Sequence, residues 1–272
     1  MYPHTHHQPD QPILDVQKLS LWYNGRPALH DITFHLHAGE QVAVVGPNGA
    51  GKSTLFKVIA GVLPASSGVV NIYGSGPPGH ICIAYIPQRS QVDWHFPVSV
   101  ADVVMMGRSA KLRSFTWPGK QDWDVVHAAL ATVEMDDLAD RPIGQLSGGQ
   151  QQRMFLARAL AQEAELMLLD EPFAGLDAPA QEGLLSLLEK LQQKGVTMMV
   201  ATHDLEQAAQ YFDRILLLNQ RVIGFGTSAE ILQPEKLLRA YGARLHLVGT
   251  ESGLLAMDDT CCEEGDEHGH AV

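Results

Sequence analysis

In the stretch Gly46-Pro47-Asn48-Gly49-Ala50-Gly51-Lys52-Ser53, glycines, a lysine and a hydroxyl stand at the spacing of a loop that wraps phosphate groups. The glycines let backbone N–H groups turn inward, and a helix starting near Lys52 adds the partial positive charge of its N-terminus. Lys52 is placed to reach β- and γ-phosphates, Ser53 to ligand Mg²⁺ and Thr54 to bond a further phosphate oxygen. A second element, Leu166-Met167-Leu168-Leu169-Asp170-Glu171-Pro172, is an apolar run that delivers two carboxylates at its end. Asp170 suits the Mg²⁺ shell and Glu171 can polarise an attacking water. Alone, such a pair after a strand is ordinarily a solvated loop. Together with a phosphate loop it becomes a candidate site for hydrolysing a nucleoside triphosphate.

The elements that must position these groups are legible in outline. Gln41 to Val45 reads as a buried strand ending at Gly46, and Lys52 to Ala60 as the helix that follows. Upstream, Ile13 to Tyr23 and Ala28 to His37 alternate partly and are broken by Asn24-Gly25, which predicts an antiparallel hairpin. Short strands are expected at Val69 to Tyr73, Cys82 to Ile86, Leu166 to Leu169, Thr197 to Ala201, Ile215 to Leu218 and Val222 to Phe225. Residues 89–161 lack a β-run but carry helical patterns at Ser99 to Met106, Asp122 to Val133 and Gln150 to Leu160, which predicts an inserted helical subdomain. Strands alternating with crossover helices imply a mostly parallel sheet covered on both faces. After about Tyr241 periodic order fades, so residues 242–272 are expected to form a flexible acidic tail, and residues 1–11 a flexible His-containing start.

Composition limits the alternatives. The 272 residues, 45% hydrophobic, suffice for one main domain with a subdomain. No run approaches the roughly 18 apolar residues of a membrane span. The first ten residues lack a basic segment followed by an apolar one, so a cytoplasmic location is expected. Three cysteines, one (Cys82) in an apolar run, imply no disulfide framework. The net charge of -12 argues against an electrostatic nucleic-acid binder. Seven of the acids follow Gly249 with no Lys or Arg among them, so residues 1–250 carry only -5.

Between the phosphate loop and the paired carboxylates runs Leu146-Ser147-Gly148-Gly149-Gln150, leading straight into Gln151-Gln152-Arg153-Met154-Phe155. Ser147 can cap that helix while Gly148 and Gly149 expose backbone N–H groups to an anion. This sequence resembles the signature motif of ABC ATPases, and the order of elements is the order of that family. The resemblance covers roughly residues 12–240 and implies the ABC type of P-loop NTPase: an α/β fold, its core sheet mostly parallel, with an antiparallel β subdomain and an inserted helical subdomain.

The resemblance further implies ATP and Mg²⁺ as cofactors. Tyr23 looks like the aromatic residue that stacks on adenine, with Trp22 as its neighbouring competitor, since strand alternation would point only one of them to the ligand. Gln88 resembles the glutamine that joins Mg²⁺ and water to the helical subdomain; Asp177, in Gly175-Leu176-Asp177, resembles the D-loop aspartate; His203 resembles the switch histidine that contacts the γ-phosphate. The family often has Ser-Ala-Leu-Asp where this chain has Phe173-Ala174-Gly175-Leu176-Asp177. Each ATP is sandwiched between the phosphate loop of one copy and the signature of another, so a homodimer is implied. Separate permease subunits and an extracytoplasmic substrate-binding protein complete the expected system, with this chain at the cytoplasmic face of the membrane. The run Asp93-Trp94-His95-Phe96 and a helix ending in Met106-Gly107-Arg108 are similar to the manganese, zinc and iron branch of metal importers. A siderophore or haem importer, or a soluble ATPase of repair or translation, is the alternative. At the ends, His4, His6, His7, Cys261, Cys262, His268 and His270 are candidate transition-metal ligands, against a solvated tail of minor function.

Overall fold

A turn at Asn24-Gly25 with left-handed φ at both residues (48° and 78°) joins β1 (Leu14–Tyr23) to β2 (Arg26–Leu36), as the pair's chemistry dictates. In this computed structural model, which describes residues 11–74, 76, 83–88, 90, 92–112, 117–242, 245–250 and 253–258, the chain then enters β3 (Gln41–Val45) and α1 (Lys52–Ile59). Next come β4 (Ser67–Ile72), β5 (Ile83–Ile86), α2 (Val100–Met106), α3 (Lys120–Thr132) and α4 (Gly148–Ala161). They are followed by β6 (Leu166–Asp170), α5 (Ala178–Gln193), β7 (Thr197–Ala201), α6 (Leu205–Tyr211), β8 (Arg214–Asn219) and β9 (Arg221–Gly226). Two short helices, α7 (Ser228–Ile231) and α8 (Pro234–Tyr241), and strands β10 (Leu245–Thr250) and β11 (Gly253–Asp258) end the described chain.

Strands β3, β6 and β7 are buried at every residue, which is why they read as continuous apolar runs and not as alternating ones. They lie in a six-stranded sheet of order β5-β6-β7-β3-β8-β9, parallel except for β9. Alternate residues serve two separate cores. Val42 and Val44 join Leu55, Phe56 and Ile59 of α1 and the inner face of the antiparallel sheet β2-β1-β4, whereas Ala43 and Val45 join the core beneath α2 to α6.

Between β5 and β6 the described residues form helices and tight turns, as the sequence predicts for the inserted subdomain. Ser99 and Asp102 make a capping box at the start of α2. At its end Gly107 lies so close to α4 that a Cβ there would meet the Arg158 carbonyl oxygen at 2.3 Å. Arg108, buried, donates to Asp122 Oδ1 of α3 at 3.3 Å and to the Ala161 carbonyl that ends α4 at 3.1 Å. The three helices are thus bound through one glycine and one guanidinium.

Two expectations need correction. The tail after Tyr241 is not uniformly without periodic order: β10 and β11 pair antiparallel, Leu245 opposite Asp258 through Thr250 opposite Gly253. In sequence these strands carry Leu245, Leu247, Val248, Leu254, Leu255, Ala256 and Met257, apolar residues that the acidic composition of the tail outweighed. Alternation also fails to separate Trp22 from Tyr23. The β1–β2 ladder shifts register between Leu21 and Trp22, and both aromatics are exposed, at 45% and 48%. Cys82 and the His and Cys residues of the two ends, His246 aside, lie outside the described residues.

Candidate nucleotide site

Because β5, β6, β7 and β3 are parallel neighbours, their carboxyl ends share one edge of the sheet, the edge at which open α/β sheets hold ligands. Four segments singled out by sequence leave from it: Gln88 after β5, Asp170 and Glu171 at β6, His203 after β7, and the phosphate loop after β3.

The phosphate loop is shaped by close backbone approaches. Gly46 has φ 158° and a Cβ there would lie 2.0 Å from the Leu218 carbonyl oxygen; Gly51 has φ 97° and a Cβ there would lie 2.6 Å from that of Ala28. Above Gly49, by contrast, a Cβ would meet nothing within 4 Å. The loop is therefore packed on its β2 side and open at its centre. Gln220 clips it in place, donating from its N–H to the Ala50 carbonyl at 2.8 Å while its own carbonyl accepts from the His30 N–H at 2.7 Å. These contacts hold β2, and with it the paired Trp22 and Tyr23, alongside the loop. Lys52 is buried and donates to the carbonyls of Gly46 (2.6 Å) and Pro47 (3.2 Å), so its ammonium lies within the loop it serves.

Asp170 is 1% exposed, and both its oxygens accept from hydroxyls: Oδ1 from Ser53 at 3.0 Å, Oδ2 from Tyr85 at 3.2 Å. Burial, and then the adjoining Asp170 carboxylate, push the Tyr85 phenol well above its ordinary value, so it stays protonated and donates. Glu171 holds a left-handed φ of 49°, a conformation that costs a non-glycine residue about 1–2 kcal/mol. It is fixed there by its N–H on the Ala201 carbonyl (3.0 Å) and by Gln88, whose Nε2 donates to Glu171 Oε2 at 3.0 Å. His203 is exposed in the turn before α6, which Asp204 caps by accepting from the Gln207 N–H.

Ser53 Oγ and the Asp170 carboxylate form an oxygen donor set, which fits a hard divalent cation such as Mg²⁺. Among the described residues no group of three or more His, Cys, Asp or Glu side chains could by itself hold a metal ion.

The structure keeps Ser147, Gly148, Gly149 and Gln150 with different partners. Ser147 Oγ accepts from the Gln150 N–H at 3.3 Å and Gln150 Oε1 from the Ser147 N–H at 2.9 Å, a reciprocal cap on α4. A Cβ on Gly149 would approach Ala180 of α5 at 3.2 Å, and Asp177 caps that helix, accepting from the Ala180 N–H at 3.0 Å. Farther along α4, Arg158 donates to the Tyr85 carbonyl (3.2 Å) and Gln162 to that of Ile83 (2.6 Å). Eleven residues separate Ser147 from Arg158, so the capped end lies about 16 Å along the helix from its attachment to β5.

Tyr85 and Arg158 are the site residues that sequence reasoning missed. The available signal was a phenol in an otherwise apolar strand, three residues before Gln88.

A manganese transport system ATP-binding protein of Bacillus subtilis, MntB, is 46% identical to this chain over 85% of it and 93% of its own length. The zinc transport system ATP-binding protein TroB of Treponema pallidum is 46% identical over 85% of this chain and 88% of its own. A solved chain described as belonging to a metal-chelate type ABC transporter, in an inward-facing conformation, superposes with a TM-score of 0.79 at 32% identity. It covers 92% of this chain and 99% of its own. The ABC transporter family model matches residues 29–174, the span from β2 through the phosphate loop and the capped α4 to the paired carboxylates. On these grounds the chain belongs to the ABC transporter family and forms its ATP-binding domain.

Proposed function

We propose that this chain is the ATP-hydrolysing subunit of a transition-metal importer, driving uptake of manganese, zinc or iron through separate permease subunits at the cytoplasmic face of the membrane. The hydrolytic part is carried by one observation: two hydrogen-bonded pairs, Ser53 with Asp170 and Gln88 with Glu171, stand at one sheet edge beside an open phosphate loop. The cargo is supported by the 46% identity to manganese and zinc transport subunits. A metal chelate is the second reading, favoured by the likeness at 32% identity to a chain of that type.

In this reading the N–H groups of residues 48–54 and the start of α1 wrap the phosphates, Lys52 turns its ammonium to the β- and γ-phosphates, and Thr54 donates to a phosphate oxygen. Tyr23 stacks on the adenine, with Trp22 held edge-on to His30 (5.8 Å between ring centres). Ser53, Asp170 and Gln88 hold Mg²⁺, which when bound neutralises charge on the phosphate oxygens. Glu171 orients and polarises the attacking water, and His203 contacts the γ-phosphate. Two copies close on each nucleotide, Ser147 to Gln150 of one meeting the phosphates held by the other, with Asp177 at the seam. Support for that sandwich is the capped start of α4, which leaves helix N–H groups without intrahelical partners. A substrate-binding protein outside the membrane delivers the cargo.

Reconstitution of the chain with its permease in vesicles tests the reading, with uptake of manganese, zinc and a ferric siderophore each measured with and without ATP. ATP-dependent uptake of a free metal ion is expected. ATP-driven movement of the siderophore alone would replace it with the chelate reading, and no ATP-dependent uptake of any of the three would sink metal import altogether.

A further inference from the structure

We propose that Tyr85 is a positioning residue of the Mg²⁺ centre, its hydroxyl holding the Asp170 carboxylate in the orientation that Ser53 shares. The inference rests on reading Asp170 as part of the Mg²⁺ shell and names the residue that fixes it. Strand register gives the reason that a tyrosine is needed. In the parallel ladder Tyr85 pairs with Leu168, and Leu168 and Asp170 point to the same face of β6, two residues apart. Asp170 therefore lies about 6.6 Å farther along the strand than the residue opposite Tyr85. Only a long, rigid side chain with a donor at its tip spans that offset, and Tyr85 does so with its hydroxyl 3.2 Å from Oδ2.

A carboxylate buried to 1% exposure must have its oxygens satisfied, and here each oxygen has a hydroxyl. With Ser53 on Oδ1 and Tyr85 on Oδ2, the carboxylate plane is pinned from both sides. Ser53 belongs to the phosphate loop; Tyr85 belongs to the strand that leads to Gln88. Tyr85 is itself held from outside the site, because its carbonyl accepts from the half-buried Arg158 of α4, the helix that begins at the capped Ser147. The position of Asp170 is thereby tied to the helical subdomain through one side chain. Loss of such an outer partner generally lowers metal affinity or activity about 10–100-fold.

The test compares the parent chain with Tyr85→Phe, which keeps the ring and removes the donor. Affinity for a non-hydrolysable ATP analogue is measured by calorimetry in EDTA and in excess Mg²⁺, alongside the Mg²⁺ concentration that half-saturates hydrolysis. Tyr85→Phe is expected to leave metal-free affinity unchanged and to shrink the enhancement by Mg²⁺ about tenfold. Replacing Tyr85 by p-aminophenylalanine, which restores a donor at the ring tip, should recover most of it. An Mg²⁺ enhancement equal to the parent's in Tyr85→Phe overturns the inference. So does an equal loss with and without Mg²⁺ in both variants, since that marks a packing role. Asp170→Asn separates the two levels: enhancement lost there but intact in Tyr85→Phe removes Tyr85 alone, whereas enhancement intact in Asp170→Asn removes the Mg²⁺ role of Asp170 as well.

Discussion

Lys52 and Glu171 do different work although both face the same phosphates in the proposed mechanism, and their contacts separate the expected effects. The Lys52 ammonium bonds two carbonyls of its own loop, so Lys52→Ala removes a phosphate contact and loosens the loop together. ATP affinity should fall about tenfold or more, the loss expected for a charge-assisted contact of roughly 1.5–3 kcal/mol, read by calorimetry. Glu171→Gln keeps the shape and an oxygen that Gln88 can still donate to. Affinity should be retained while single-turnover hydrolysis drops about 10²–10⁴-fold, the usual worth of a positioned base. Turnover close to the parent's would take Glu171 out of its assigned role.

At the level of elements, the helical subdomain depends on how closely α2 can approach α4. Gly107 and Arg108, which sequence similarity associates with metal importers, are here packing residues: the glycine admits the Arg158 carbonyl and the arginine joins three helices. Gly107→Ala places a methyl group 2.3 Å from backbone, which no side-chain rotation relieves. Thermal or urea unfolding should show a loss of about 1–3 kcal/mol, the usual range for overpacking. An unchanged midpoint would mean that α2 shifts freely on α4. The signature residues were legible as a helix start, and the capping box bears that out. Where that helix is attached to β5 was not legible, because Arg158 and Gln162 reach carbonyls 73 and 79 residues earlier in the chain.

For the whole molecule, the proposed role requires a surface that meets a permease subunit. Among the described residues no helix is long and apolar enough to cross a bilayer. The segment after Gln88 carries Phe96 (56% exposed), Met106 (49%) and Trp117 (93%), unusual apolar exposure for one subdomain. Trp94 and Phe96 stand together in the run that is similar to metal importers, but the structure divides them. Trp94 is half-buried, edge-on to Phe155 of α4 at 5.7 Å between ring centres. Phe96→Ala and Trp117→Ala should leave ATP hydrolysis by the isolated chain unchanged and lower ATP-driven uptake in vesicles. Trp94→Ala should lower stability and both activities together. Uptake unaffected by loss of both Phe96 and Trp117 would place the docking surface elsewhere.

Local chemistry by itself determined the phosphate loop, the buried strand that delivers Asp170 and Glu171, the capped start of α4 and the Asn24-Gly25 hairpin. Each depends on residues within a few positions of one another, where φ preferences, capping and apolar runs act directly. What only the tertiary structure decided was long-range. The register of β5 on β6 aims Tyr85 at Asp170, and that of β1 on β2 exposes Trp22 and Tyr23 together. The packing of Phe155 withdraws Trp94 from the surface, and the pairing of β10 with β11 orders a stretch that composition alone marked as tail. Register and packing are set by partners far away in the chain, so a one-residue shift changes which face a side chain takes without altering local sequence at all.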